Sequence, residues 1–227
     1  MLIFGKMKIV VTAATQKELQ PVEESFRTIK PANKEHQFTF KTSGLGLLAT
    51  AVNLSEIFHE NAPDLCIQIG IAGSFDTEIP PAEVVAVKEE MLGDLGVEEQ
   101  GVWNDIFDLK LADENEPPFT GKMILNTGIA DHNLTGLRLV RGLTINQITT
   151  GHKRIEELKY KYKADIETME GAAFHYVCKK RNIAFIQIRA ISNFVGERNK
   201  ENWLFEEALQ NLQLEMKKYF ELLTEKK

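Results

Sequence analysis

The sequence predicts a single α/β domain with helices on both sides of a mixed or mostly parallel sheet. Three observations predict it. Short apolar runs of strand length alternate with helical patterns along the chain. The 227 residues, 43% of them hydrophobic, are enough for one well-filled core. No internal repeat or low-complexity tract breaks the alternation.

Lys8–Ala14 (KIVVTAA) reads as a first strand, followed by a helix from about Lys17 to Phe26. The apolar residues of MLIFGKMKIVV form the alternating start of that strand, and no cleavage-like site follows, so no secretory leader is expected. Met7 is an alternative start, which makes Met1–Lys6 an extension. Phe38–Gly46 (FTFKTSGLG) gives a strand and a glycine turn, and Leu47–His59 an amphipathic helix. Leu65–Gly73 and Glu83–Leu92 are β-branched runs of strand length. The stretch from Gly93 to Gly121, rich in Pro, Gly and acids, is expected to be loop or hairpin. Leu143–Gly151 (LTINQITTG) reads as a further strand, with helices beginning near His152 and Met169 and a buried strand over Phe185–Ile191. In the last helix Leu204, Ala208, Leu212, Glu215, Met216, Tyr219 and Leu223 fall on neighbouring turns, a face for packing on the sheet.

Composition excludes several function classes. The net charge of -6 and the lack of a Lys/Arg block argue against nucleic acid, and no apolar stretch approaches a bilayer span. Cys66 and Cys178 sit in apolar surroundings and read as reduced, buried thiols, which favours the cytoplasm. There is no P-loop, and SGLGLLA holds only part of a dinucleotide fingerprint. His36, His59, His132, His152 and His175 have no metal-ligand spacing, so neither metal nor cofactor is expected. Asp94, Glu98 and Glu99 read as a solvated acidic loop.

Two segments carry chemistry. In IETMEGAAFHYVCKK, Met169, Ala172, Ala173 and Val177 share one helical face, and the small residues allow close approach to the sheet. Glu170 then falls in the first turn, where the helix dipole favours its ionised form. A carboxylate there suits the two donors of a sugar diol, although read alone it is a helix-start glutamate without a ligand. In RAISNFVG, Asn193 stands at the carboxyl end of a strand, where α/β sheets place their ligands.

Together these segments resemble the nucleoside phosphorylase/nucleosidase superfamily, in which a MEGAA- or MEAAA-type helix start is followed by a strand ending R-x-I-S-D/N. Here those are Met169–Ala173 and Arg189–Asn193. QIGIAGSF (Gln68–Phe75) resembles the family's glycine-rich strand end beneath the purine, SGLGLLATAVNL (Ser43–Leu54) its earlier turn and helix, and KIVVTAATQKELQP the nucleosidase amino terminus. The resemblance implies a three-layer α/β/α phosphorylase-like fold with a mixed, largely parallel central sheet, one domain over 1–227, and a homodimer. It also implies cleavage of an N-ribosidic bond. Such a bond breaks through an oxocarbenium-like sugar, which asks for a base for water, a hold on the ribose and a partner for the leaving base. By resemblance Glu18 activates water, Glu170 anchors the ribose hydroxyls, Asn193 partners the purine, and Ala72, Gly73 and Met169 pack on base or sugar. Arg189 and Ser192 then position Asn193 or the ribose. Without the resemblance, Glu18 reads as a first-turn helix glutamate and Arg189 as a salt bridge under the sheet.

TAATQKE offers a carboxylate where a phosphorylase needs glycine and arginine for phosphate, which favours hydrolysis. The adenosine-type nucleosidases resembled here carry aspartate where this chain has Asn193. An amide is no general acid, but its carbonyl and NH2 pair with a protonated N7 and the O6 of a 6-oxopurine; the proton then comes from solvent or a relayed water. This departure, with GDLGVEEQGVWNDIF (Gly93–Phe107), LTINQITTG and SNFVGERN (Ser192–Asn199), resembles futalosine hydrolases. They release hypoxanthine from futalosine, leaving dehypoxanthine futalosine, in a menaquinone route. For the aryl-carboxylate tail Arg198, Arg154 and Lys153 are candidate cations, and Phe75, Trp103 and Phe107 candidate rings. A methylthioadenosine/S-adenosylhomocysteine nucleosidase that tolerates Asn193, and a non-catalytic nucleoside-binding module, remain the alternatives.

Overall fold

The structure, a computed structural model, describes residues 6–29 and 36–225. Most of the extension expected ahead of Met7, residues 1–5, lies outside them. In chain order the elements are β1 (Lys8–Ala13), α1 (Gln16–Arg27), β2 (Gln37–Thr42), α2 (Gly46–Asn61), β3 (Leu65–Ser74), β4 (Val84–Leu92), β5 (Gly96–Glu99), β6 (Val102–Asp105) and β7 (Ile124–Leu125). They continue with α3 (Ile129–His132), β8 (Arg138–Thr144), α4 (His152–Tyr162), β9 (Ile166–Thr168), α5 (Gly171–Arg181), β10 (Ala184–Phe194) and α6 (Phe205–Glu225).

Eight strands form one mixed, largely parallel sheet, and β5 and β6 make the separate hairpin expected between Gly93 and Gly121. Both faces are covered, as strands that carry apolar side chains on each face require. Ile9 and Val11 of β1, Ile67 and Ile69 of β3, and Ile186 and Ile188 of β10 meet Leu19 and Val22 of α1 and Leu212, Met216 and Phe220 of α6. The alternate residues Val10, Cys66 and Phe185 face Leu54 and Phe58 of α2 and Phe174 and Val177 of α5. Cys66 and Cys178 are free and buried on this second side. No helix among the described residues is long and apolar enough to cross a membrane.

One edge of β3 changes partner along its length, and that positions the site. Its first half pairs with β1 as far as Gln68, while Gly73 and Ser74 pair with β9. The backbone of Gly70–Ala72 on that edge is left without a strand neighbour. On the other edge β10 runs parallel to β3 throughout, with a bulge that leaves Ser192 unpaired between Ile191↔Ala72 and Asn193↔Gly73. A bulge of this kind re-aims the side chains that follow it.

The strand expected over Leu143–Gly151 is instead Arg138–Thr144, and 145–151 is loop. Asp94 causes the break. Its carboxylate accepts from the backbone N–H groups of Asn146 and Gln147, which pulls the chain out of the sheet. Asp94 is therefore a loop clamp rather than merely a solvated acid. Arg138 and Arg141 are accommodated in the strand because each pairs with a glutamate, Glu83 just before β4 and Glu89 within it.

Candidate active site

A cavity of about 250 Å³ opens at the carboxyl ends of β3 and β10. Glu18, Ala72, Gly73, Met169, Glu170, Ser192 and Asn193 all line it, joined by Ile71, Ile148, Thr149, Glu167, Val195, Arg198 and Trp203. Arg189, expected among them, lies beneath the wall, 1% exposed.

Glu18 enters from the first turn of α1. Thr15 donates to its Oε2 from both N–H (3.0 Å) and hydroxyl (2.7 Å), and the Ile71 N–H, free because β3 has changed partner, donates to Oε1 at 3.2 Å. It is thus a helix-start glutamate and a cavity carboxylate at once. Three donors fix its orientation and leave lone pairs facing the cavity.

Glu170 is the residue before α5, not a first-turn residue, and Met169 precedes the helix whose face it was expected to share. Its Oε1 accepts from the Gly46 N–H at 3.1 Å, and Oε2 lies 3.5 Å from Arg189 Nη1. Burial pushes the carboxyl above its ordinary range, with Arg189 and the Gly46 N–H opposing and nearby Glu18 reinforcing the rise. Desolvation thus opposes the ionised form that the helix dipole favours. Arg189 also donates from Nη2 to Gln68 Oε1 (2.8 Å) and from Nη1 to Ile71 O (3.4 Å). It positions Glu170; Asn193 is reached by Ser192 alone of the two residues expected there.

At Asn193 the Ser192 hydroxyl donates to Oδ1 at 2.7 Å, and Nδ2 donates to Phe194 O at 2.8 Å. These bonds fix which end of the amide is which. One Oδ1 lone pair and one N–H remain for a ligand edge that carries a donor beside an acceptor.

Sequence reasoning missed Glu167, Thr149 and Trp203. Glu167 is 8% exposed in β9, accepts from the Thr149 N–H at 3.3 Å, and burial raises its carboxyl to about 7, against the hydrogen bonds from Thr149. Trp203 follows β10, where its Nε1 donates to Glu197 O at 3.0 Å. Among the expected tail partners, Arg198 lines the cavity. Arg154 stacks 4.3 Å over Trp103 in a neighbouring cleft that shares Ile148 and Thr149. Lys153 pairs with Glu157 in solvent. Phe75 and Phe107 are buried and present no ring.

Below the site Glu90 of β4 is wholly buried and accepts from Gln187, Thr144 and Thr168. A side chain on Gly142 or Gly171 would overlap its carboxyl, which gives the glycine of MEGAA its reason. Burial raises Glu90 from 4.5 to about 7, more than its hydrogen bonds and Arg189 lower it. The folded protein holds this proton while the unfolded chain has lost it. The resulting stabilisation is complete below pH 4.5 and gone once pH passes about 7. It amounts to up to about 3 kcal/mol. Urea unfolding at pH 5 and pH 8 should show this fall in the wild type and a smaller one in Glu90→Gln, which keeps the neutral form. Equal falls in both would remove Glu90 as the source.

The family model described as Phosphorylase superfamily matches residues 8–225. The chain belongs to the phosphorylase superfamily. Within it, the chain is 28% identical over 182 residues to a futalosine hydrolase of Thermus thermophilus, covering 77% of each protein. It is 26% identical over 220 residues to a 5'-methylthioadenosine/S-adenosylhomocysteine nucleosidase of Tolumonas auensis, covering 90% of this chain and 93% of that protein. The futalosine hydrolase structure of Helicobacter pylori superposes with a TM-score of 0.74 over 93% of this chain and 97% of that one, at 16% identity. The three-layer superfamily fold expected from the sequence is the fold observed.

Proposed function

We propose that the chain is a nucleosidase that hydrolyses the N-ribosidic bond of a 6-oxopurine nucleoside, futalosine being the substrate that fits best. It is an N-glycosyl hydrolase. Glu18 draws the proton from the attacking water, Glu170 takes the ribose hydroxyls, and Asn193 grips N7 and O6 of the departing hypoxanthine. Hydrolysis breaks the C1'–N9 bond, water oxygen joins C1', and the purine leaves with a proton supplied from solvent. The observation that carries the reading is the Ser192-oriented amide of Asn193, in one cavity with both carboxylates. Beside a protonated N7, a neutral amide pairs fully with a keto edge but sets its N–H against the N–H of an amino edge. The second reading is a methylthioadenosine/S-adenosylhomocysteine nucleosidase, favoured by the relative matched over 90% of the chain.

Purified protein given futalosine, inosine and methylthioadenosine, with and without phosphate, separates these. Phosphate-independent hypoxanthine release from futalosine supports the proposal; adenine release gives the second reading, and binding without turnover a non-catalytic module. Asn193→Asp should shift preference toward 6-aminopurine nucleosides by about tenfold or more. An unchanged ratio of kcat/KM values would undo the role given to the amide. The reading extends to a homodimer in the cytoplasm. Leu45, Leu48 and Val52 make an exposed apolar stripe at the start of α2, with Leu45 at the cavity mouth. Sedimentation should return twice the chain mass.

A further inference from the structure

Among the polar groups of the cavity that the hydrolytic scheme leaves unused, Glu167 stands out. Glu167 and Asn193 stand on opposite sides of Gly73 in one row across three strands, Asn193↔Gly73 on β10 and Gly73↔Glu167 on β9. Two strand spacings put their Cα atoms about 10 Å apart, with both residues lining the cavity. The backbone of Thr149 occupies Oε1 of Glu167, while Oε2 is buried with no hydrogen-bond partner among the described residues. An acceptor left in that state costs free energy that a ligand donor would recover.

The purine itself dictates which donor this is. With N7 and O6 at Asn193, the next atom around the ring edge is N1, on the side facing away from the asparagine. In a 6-oxopurine N1 carries hydrogen; in a 6-aminopurine it is an acceptor. We infer that Glu167 reads the N1–H of the bound 6-oxopurine through Oε2 and is a specificity-determining residue, an inference that rests on the 6-oxopurine reading above. Asn193 and the ionised Glu167 would then test both flanks of the keto oxygen, and an adenine would place its N1 lone pair against a carboxylate oxygen. Binding is therefore measured at pH 8, where Glu167 is ionised.

Glu167→Gln probes this directly. The Thr149 N–H holds the glutamine carbonyl, so its NH2 turns to the ligand, opposing N1–H and suiting the N1 of adenine. Calorimetric binding of hypoxanthine, 1-methylhypoxanthine and adenine to the wild type and to Glu167→Gln is the experiment. The wild type should prefer hypoxanthine over both others. The variant should bind hypoxanthine roughly 10–100-fold more weakly and adenine no worse than the wild type does, and its discrimination against 1-methylhypoxanthine should shrink. If Glu167 only braces the Thr149 loop, all three affinities fall together, and the inference is overturned. Wild type that binds hypoxanthine and 1-methylhypoxanthine equally overturns it without any variant. Wild type that prefers adenine removes the 6-oxopurine reading, and this inference with it.

Discussion

Glu18→Gln is expected to cut turnover by roughly 10²–10⁴-fold, the ordinary contribution of a positioned general base. Binding of the free purine should stay within a few-fold of wild type. The argument is geometric. Oε1 and Oε2 are held by Ile71 and by both donors of Thr15, so the carboxylate cannot swing away and its remaining lone pairs face the cavity. A glutamine keeps size and burial but has no basic oxygen to take a proton from water. It also sets an NH2 group against the Thr15 N–H, so unfolding should be measured alongside activity; a loss of about 1–3 kcal/mol there is compatible with the role. The kcat loss at unchanged purine affinity is the signature. Retained kcat would take Glu18 out of the mechanism and leave it a helix-start glutamate.

What could be read in advance follows from how local each signal is. Glu18, Glu170 and Asn193 each sit beside a strand or helix end whose own residues announce it, and all three reach the cavity. The apolar alternation likewise located the strands that pack on both faces. Glu167 left no such trace. Its strand has three residues, too few to show a period, and is held by β8 and β3 rather than by its own pattern. The end of β8 was hidden for another reason: Ile145 and Ile148 continue a strand-like run, and only Asp94, far back in the chain, turns it aside. Arg189 was ambiguous because its partners, Gln68, Ile71 and Glu170, come from two other segments that only the folded sheet brings together. Long-range pairing, not composition, decides such residues.

That same convergence makes Gly70 the most sensitive small residue of the site. Gly70 lies in β3 between Arg189 and Glu18. A Cβ there would overlap Arg189 Nη1 and sit 2.9 Å from Glu18 Oε1. Its backbone is not in the left-handed region, so alanine brings no conformational strain and the conflict is with side chains alone. Neither neighbour has room to yield. Arg189 is 1% exposed and tied to Gln68, Ile71 and Glu170, and Glu18 is tied to Thr15 and Ile71. Gly70→Ala must therefore displace Glu18, the carboxylate proposed to activate water, or Arg189, which holds the proposed ribose anchor Glu170, or both. Overpacking of this kind costs about 1–3 kcal/mol in stability. A displacement near 1 Å at reacting groups costs on the order of 10²-fold in rate. Gly151→Ala supplies the contrast: a Cβ there meets nothing within 4 Å. The expected pattern is a folded Gly70→Ala protein with kcat/KM down about 10²-fold or more beside a Gly151→Ala protein near wild type. Full activity in Gly70→Ala would mean that Arg189 and Glu18 can separate without consequence. The packing of Arg189 and Glu18 on either side of Gly70 would then have no part in the chemistry.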